Sequence, residues 1–189
     1  MLDERRFNMK KQVLTIATTL LLSFEAASAK NPMVGGQAMY ENKNIIQNAV
    51  KSADHTTLVA AVKAAGLVET LESAGPFTVF APTNTAFAKL PSGTVDTLLK
   101  PENNATLVKV LTYHVVAGKM TSATIKKAIK AGHGKAMLKT VAGGTLTATM
   151  SGDRLMLTDE KGGMSTITIA NVMQSNGVIH VVDSVVLPN

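Results

Sequence analysis

No cysteine occurs in this chain of 189 residues. Disulfide staples, thiol catalysis and thiolate metal sites are therefore excluded, and stability must come from burial. Tryptophan is also absent, and the other aromatics are five Phe and two Tyr. A surface that stacks nucleobases needs rings between its basic residues. The one dense basic stretch, Lys126, Lys127, Lys130, Lys135 and Lys139, has none. We read it as a solvated helix face, with a weak site for anionic polymers or lipid head groups as the alternative, and expect no nucleic-acid partner. Long apolar runs are missing as well, with one exception at residues 13–24. That run follows Lys10 and Lys11 and precedes Ala27-Ser28-Ala29, the pattern of a secretory leader. It falls short of the ~20 residues a bilayer span needs.

The expected layout is thus an N-terminal extension and signal peptide over residues 1–29, with Met1 or Met9 as the start. Export to the periplasm or beyond follows cleavage near Ala29, without a transmembrane anchor. Removing the four basic and three acidic residues of 1–29 leaves 15 Lys/Arg against 10 Asp/Glu, a thin excess. Residues 30–43, with Pro32, Gly35 and Gly36, lack an apolar period and read as a flexible arm. Residues 44–189 read as a single domain, expected to be monomeric.

Within that domain, Asn44 with Gln47 marks a helix start, and Asp54 to Thr57 a second, which Gly66 stops. Short helical patterns follow at 67–73, 85–90, 95–100, 102–112 and 122–131, with the buried strand FTVFA at 77–81. After Gly132 the period switches to two, in segments separated by Gly-rich turns, the punctuation of consecutive hairpins. Helices early and strands late predict an α+β fold with antiparallel sheets.

Tests for chemistry fail on spacing. There is no G-x-S-x-G elbow, no H-E-x-x-H pair and no G-x-G-x-x-G after a strand. The nearest approach to a phosphate loop, at Gly134-Lys135, has Ala136 where Ser or Thr is needed. We expect no catalytic residue, metal or cofactor. His114 follows Leu111 by three and Leu107 by seven, which predicts a core histidine bonded to a backbone carbonyl. His180 shares a strand face with Val178 and Val182, while Asp183 falls among apolar neighbours and must be hydrogen-bonded, pinning a turn or helix end. His133 lies in a loop.

The stretch GPFTVFAPTNTAFAKL, residues 75–90, holds three of the five Phe. Pro82 keeps Ala81 extended, Thr83 or Asn84 supplies an N-cap, and Phe77, Phe80 and Phe87 give apolar mass on both sides. It reads as a structural joint between strand and helix.

These residues resemble a known family. GPFTVFAPTNTAF is similar to the first signature of the fasciclin (FAS1) domain, TYHVV at 112–116 to its Tyr-His motif, and NGVIHVVDSVVLP at 176–188 to its second signature, all in family order. The chain is most similar to single-domain exported bacterial members, relatives of the mycobacterial secreted antigens. The resemblance implies a wedge-shaped two-sheet β-sandwich of about seven strands with several packed helices. It also implies a non-enzymatic role in cell adhesion, or in binding a cell-surface or extracellular matrix component. In animal members the Tyr-His region contributes to integrin binding, which maps here to Tyr113, His114, Val115 and Val116. The alternative is a periplasmic carrier of a lipid or saccharide.

Overall fold

The first helix begins where Asn44 and Gln47 cap each other: Asn44 Oδ1 accepts from the Gln47 N–H at 2.8 Å, and Gln47 Oε1 from the Asn44 N–H at 3.1 Å. The computed structural model describes residues 31–189; the leader expected at 1–29 lies outside the described residues. Helix α1, Ile45–Ala49, is followed by α2, Thr56–Ala64, and α3, Val68–Glu72. Next come α4, Asn84–Ala88, α5, Thr94–Leu98, α6, Asn104–Tyr113, and α7, Ser122–Ala131. Gly66 has φ +69, the left-handed stop expected after α2.

Residues 31–43 are not a loose arm. They form a hairpin, β1, Met33–Val34, with β2, Gln37–Ala38, and bury Val34 and Met39 in the core. Gly35 and Gly36 take the positive φ that this two-residue turn needs. Composition hid the hairpin, because two apolar side chains carry its burial.

The remaining strands are β3, Phe77–Pro82, β4, Val115–Ala117, β5, Lys135–Lys139, β6, Thr145–Ser151, β7, Arg154–Thr158, β8, Met164–Gln174, and β9, Gly177–Val182. They join in one sheet of order β4-β3-β9-β8-β7-β6-β5. Its two ends nearly meet: Val116 bridges Thr140, and the Val141 N–H donates to the Val115 carbonyl at 2.8 Å. The α+β class holds, but two features depart from the expected antiparallel sandwich. β3 and β9 pair in parallel, which consecutive hairpins do not suggest. And β8 is continuous across what would be two sheets, pairing β7 through residues 164–166 and β9 beyond, with bulges near Ile169 that bend it. The result approaches a barrel.

Alternate side chains of β3 feed two cores. Val79 and Ala81 join the helices α1–α4 and α6, while Phe80 joins α7 and the inner face of β5–β8. Helix α6 does not continue through His114; it stops at Tyr113, and the β-branched pair Val115-Val116 becomes β4 against β3.

Candidate functional site

The signature residues meet around β3 and β9, and their polar atoms are spent on hydrogen bonds within the fold. Thr83 is the N-cap of α4, its Oγ1 accepting from the Ala86 N–H at 3.2 Å. Asn84, the first residue of α4, reaches to another element. Its Oδ1 accepts from the Thr57 N–H at 3.0 Å and its amide donates to the Ala53 carbonyl at 2.9 Å. This caps α2 from outside, where Asp54 to Thr57 had been expected to serve and no local side chain does. Phe80 and Phe87 are buried and Phe77 half-buried, Phe80 on one side of β3 and the other two in the opposite core. Pro82 ends β3 in a buried position.

Tyr113, His114, Val115 and Val116 are inside: Tyr113 is 0% and His114 2% exposed. The partner-facing role mapped to them needs exposed side chains, and these four are packed against the two cores. The Tyr113 hydroxyl donates to the Thr145 carbonyl at 2.8 Å and accepts from the Glu160 N–H at 3.2 Å. Burial pushes its pKa up. At His114, Nδ1 donates to the Val110 carbonyl at 2.8 Å, which leaves Nε2 to accept from the Val186 N–H at 3.1 Å. Complete burial lowers its pKa to about 4. The ring is a neutral fastener between α6 and the C-terminal segment.

His180 is used in the same way. Its Nε2 donates to the Met120 carbonyl at 2.8 Å, Nδ1 accepts from the Asn171 N–H at 3.3 Å, and the ring stacks on Phe80 at 5.7 Å. Burial lowers its pKa. Asp183 stands just past β9, where Oδ1 accepts from the Thr166 N–H at 2.8 Å. Burial alone raises its pKa, but that hydrogen bond and Lys89, whose Nζ is 3.9 Å from Oδ2, bring it below the usual value. It pins β8 to the end of β9. His133 sits in the turn before β5 with φ +52, and among the described residues no group of three His, Asp or Glu gathers as a metal site.

Two further fasteners escaped the sequence reading. The Asn176 side chain accepts from the Ile45 N–H at 3.1 Å and donates to the Leu71 and Ser73 carbonyls at 2.7 and 2.9 Å, tying α1 and α3 to the β8–β9 turn. Asp159 accepts from the Gly163 N–H at 2.7 Å and the Leu187 N–H at 2.9 Å. Asn176 reads locally as a turn residue and Asp159 as the end of a strand segment, and only their long-range partners reveal the second role.

Among the described residues one buried side-chain polar atom is left over. His55 Nδ1 shares a hydrogen bond with Ser52 Oγ at 2.8 Å, but Nε2 has no partner of hydrogen-bond geometry. Burial lowers its pKa, partly offset by the nearby Ala81 carbonyl and by Asp54. The ring faces an apolar cavity of about 80 Å³ lined by Leu58, Val62, Leu71, Val79 and Ile179.

The fasciclin domain family profile matches residues 53–188. Protein sll1483 of Synechocystis is 44% identical over 170 residues, spanning 90% of this chain and 87% of that protein. The immunogenic protein MPT70 of Mycobacterium tuberculosis is 37% identical, spanning 70% of this chain and 63% of its own length. In the pig transforming growth factor-beta-induced protein ig-h3 the figures are 37%, 77% and 20%. Among solved structures, a domain pair from the insect cell adhesion molecule Fasciclin I superposes with a TM-score of 0.67 at 17% identity, covering 77% of this chain and 51% of that one. That likeness shows the fold.

Proposed function

This chain belongs to the fasciclin domain family, and from that membership we propose that it is an exported, non-enzymatic binding module that contacts a cell-surface or matrix component. One observation supports the reading above others: His114, His180, Asn84 and Asp183 each end on backbone partners within the fold. A hydrolytic site needs a base within reach of an open position; these two rings and the Asp183 carboxylate are already engaged, and His55 Nε2, which is not, faces a small apolar cavity. Contact with a partner then falls to the outer surface, with the signature residues holding that surface in shape. We place the module outside the cytoplasm after cleavage near Ala29, working as a monomer. Among the described residues no helix is long and apolar enough to cross a membrane.

The carrier alternative draws on the cavity beside His55. Its volume of about 80 Å³ is well under the roughly 300–1,000 Å³ of small-molecule sites, so neither a lipid chain nor a sugar ring fits it as it stands. Adhesion therefore ranks first. Deleting the gene should weaken attachment or aggregation of the producing cells, and adding back the protein should restore it. Unchanged attachment on several surfaces would count against the reading.

A further inference from the structure

We infer that the outer face of β5–β8 binds an anionic polysaccharide. The inference rests on the adhesion reading and names the partner class. The inner side chains of these strands, such as Leu138, Leu146 and Leu157, fill the second core, so the alternate positions point out. Strand register places Met137, Thr147, Thr158 and Met164 in one row across the four strands. The next row is Lys135, Thr149, Met156 and Thr166. The hydroxyls of Thr147 and Thr158 on adjacent strands therefore stand roughly 5 Å apart, and those of Thr147 and Thr149 along β6 roughly 7 Å.

The charged outward side chains of these strands have one sign. Lys135 and Lys139 lie about 13 Å apart along β5, and Arg154 opens β7. No outward position in these two rows, nor Lys139, is an acid; at the margins Glu160 and Asp183 accept from the Thr145 and Thr166 N–H groups at 2.9 and 2.8 Å. From Asn103 to Gly152 the sequence has seven Lys and no Asp or Glu, which alone outweighs the chain's formal charge of +6. Helix α7 packs against the inner side of β5 through Ile125 and Ile129, so its exposed Lys126, Lys127 and Lys130 lie on the other side of the sheet and do not belong to this face. A groove of about 390 Å³ opens where β4 and β5 part, lined by Met120, Met137, Lys139 and Val141, and it shares Met137 and Lys139 with the face.

The chemistry selects among polyanions. Stacking on bases needs aromatic rings, and the face has none. Insertion into a membrane needs a continuous apolar patch, but Met137 and Met164, 73% and 63% exposed, are separated by two threonines. Surface hydroxyls flanked by cations match a chain that carries both hydroxyls and carboxylate or sulfate groups.

The test is affinity electrophoresis of the purified protein in gels containing polygalacturonate, dextran sulfate or neutral dextran. Both anionic polymers should retard it and neutral dextran should not. Lys135→Ala with Lys139→Ala should weaken binding about tenfold or more and flatten its salt dependence. Thr147→Val with Thr158→Val keeps the charge and the β-branched shape, and should weaken binding about fivefold, as loss of neutral hydrogen bonds does. Lys51→Ala with Lys63→Ala, both exposed on the helical side, should change nothing. An equal loss from that control pair, unchanged affinity in the threonine pair, or tighter binding to phosphatidylglycerol vesicles or duplex DNA would each overturn the inference. If gene deletion weakens cell attachment but the lysine pair restores it fully, adhesion stands and this face is not its site.

Discussion

The side-chain oxygen of Asn84 accepts the backbone N–H of Thr57, 27 residues earlier, at 3.0 Å. The first turn of α2 has no cap of its own, so a residue in α4 satisfies one of its free donors. The same amide holds the Ala53 carbonyl, and Thr56 Oγ1 donates to the same oxygen at 3.2 Å. Asn84→Ala removes all three bonds and should cost about 2 kcal/mol, the upper end for a helix cap. For a domain of this size that is roughly a 4–8 °C fall in Tm by calorimetry. Asn84→Asp keeps the acceptor but loses the donor, and should fall between.

This residue shows how far the sequence carries. The joint at 75–90 was legible because its signals are local: Gly75-Pro76, the β-branched strand, Pro82 and a Thr-Asn cap. Thr83 caps α4 by that local rule. Asn84 looked interchangeable with Thr83, since nothing in the sequence places α2 beside it. The same limit hid the parallel pairing of β3 with β9, strands nearly a hundred residues apart. Helix α7 is legible at its full extent, Ser122 to Ala131, with Gly132 as its stop, and its Thr121 cap and its buried Ile125 and Ile129 are all local to it.

His114 links stability to pH. Its folded pKa of about 4 lies below the unfolded value near 6.5, so the native state binds fewer protons. The stabilisation it contributes is whole above pH 6.5 and is lost as pH falls from 6.5 toward 4, amounting to about 3 kcal/mol. His180 and His55 are shifted in the same direction by burial. Urea midpoints should be flat from pH 8 to 7 and drop steeply below 6.5. By NMR, the His114 ring should stay neutral at pH 5.5, and a ring that titrates near 6.5 would show that it is not sealed.

Gly177 begins β9 where the parallel pair closes. A Cβ there would meet the Phe77 carbonyl oxygen and carbon, both backbone atoms that cannot rotate away. The constraint is space, since Gly177 is not among the glycines with positive φ. Gly177→Ala must push β9 from β3 and should cost about 3 kcal/mol, as overpacked cores do. Gly152→Ala meets nothing within 4 Å and carries only the strain of its φ of +58, so it should cost less. Denaturant midpoints of the two variants decide whether the β3–β9 approach is as close as described.

The β1–β2 hairpin offers the sharpest contrast between the two views of residues 30–43. A flexible arm would leave the domain unchanged when removed and would be cut at once by a broad protease. The hairpin instead places Val34 at 4% and Met39 at 2% exposure against α1 and α2, and the Ala53 N–H donates to the Gly35 carbonyl at 3.3 Å. Asn48 holds it from below, accepting from the Tyr40 N–H at 3.2 Å and donating to the Tyr40 carbonyl at 2.8 Å. Burying two such side chains is worth about 3–5 kcal/mol, less the cost of ordering a short segment. Val34→Ser with Met39→Ser should therefore lower the unfolding free energy by about 3 kcal/mol and expose residues 31–43 to trypsin at Lys43, while the unaltered protein resists cleavage there. Equal stability of the variant would return the segment to an arm.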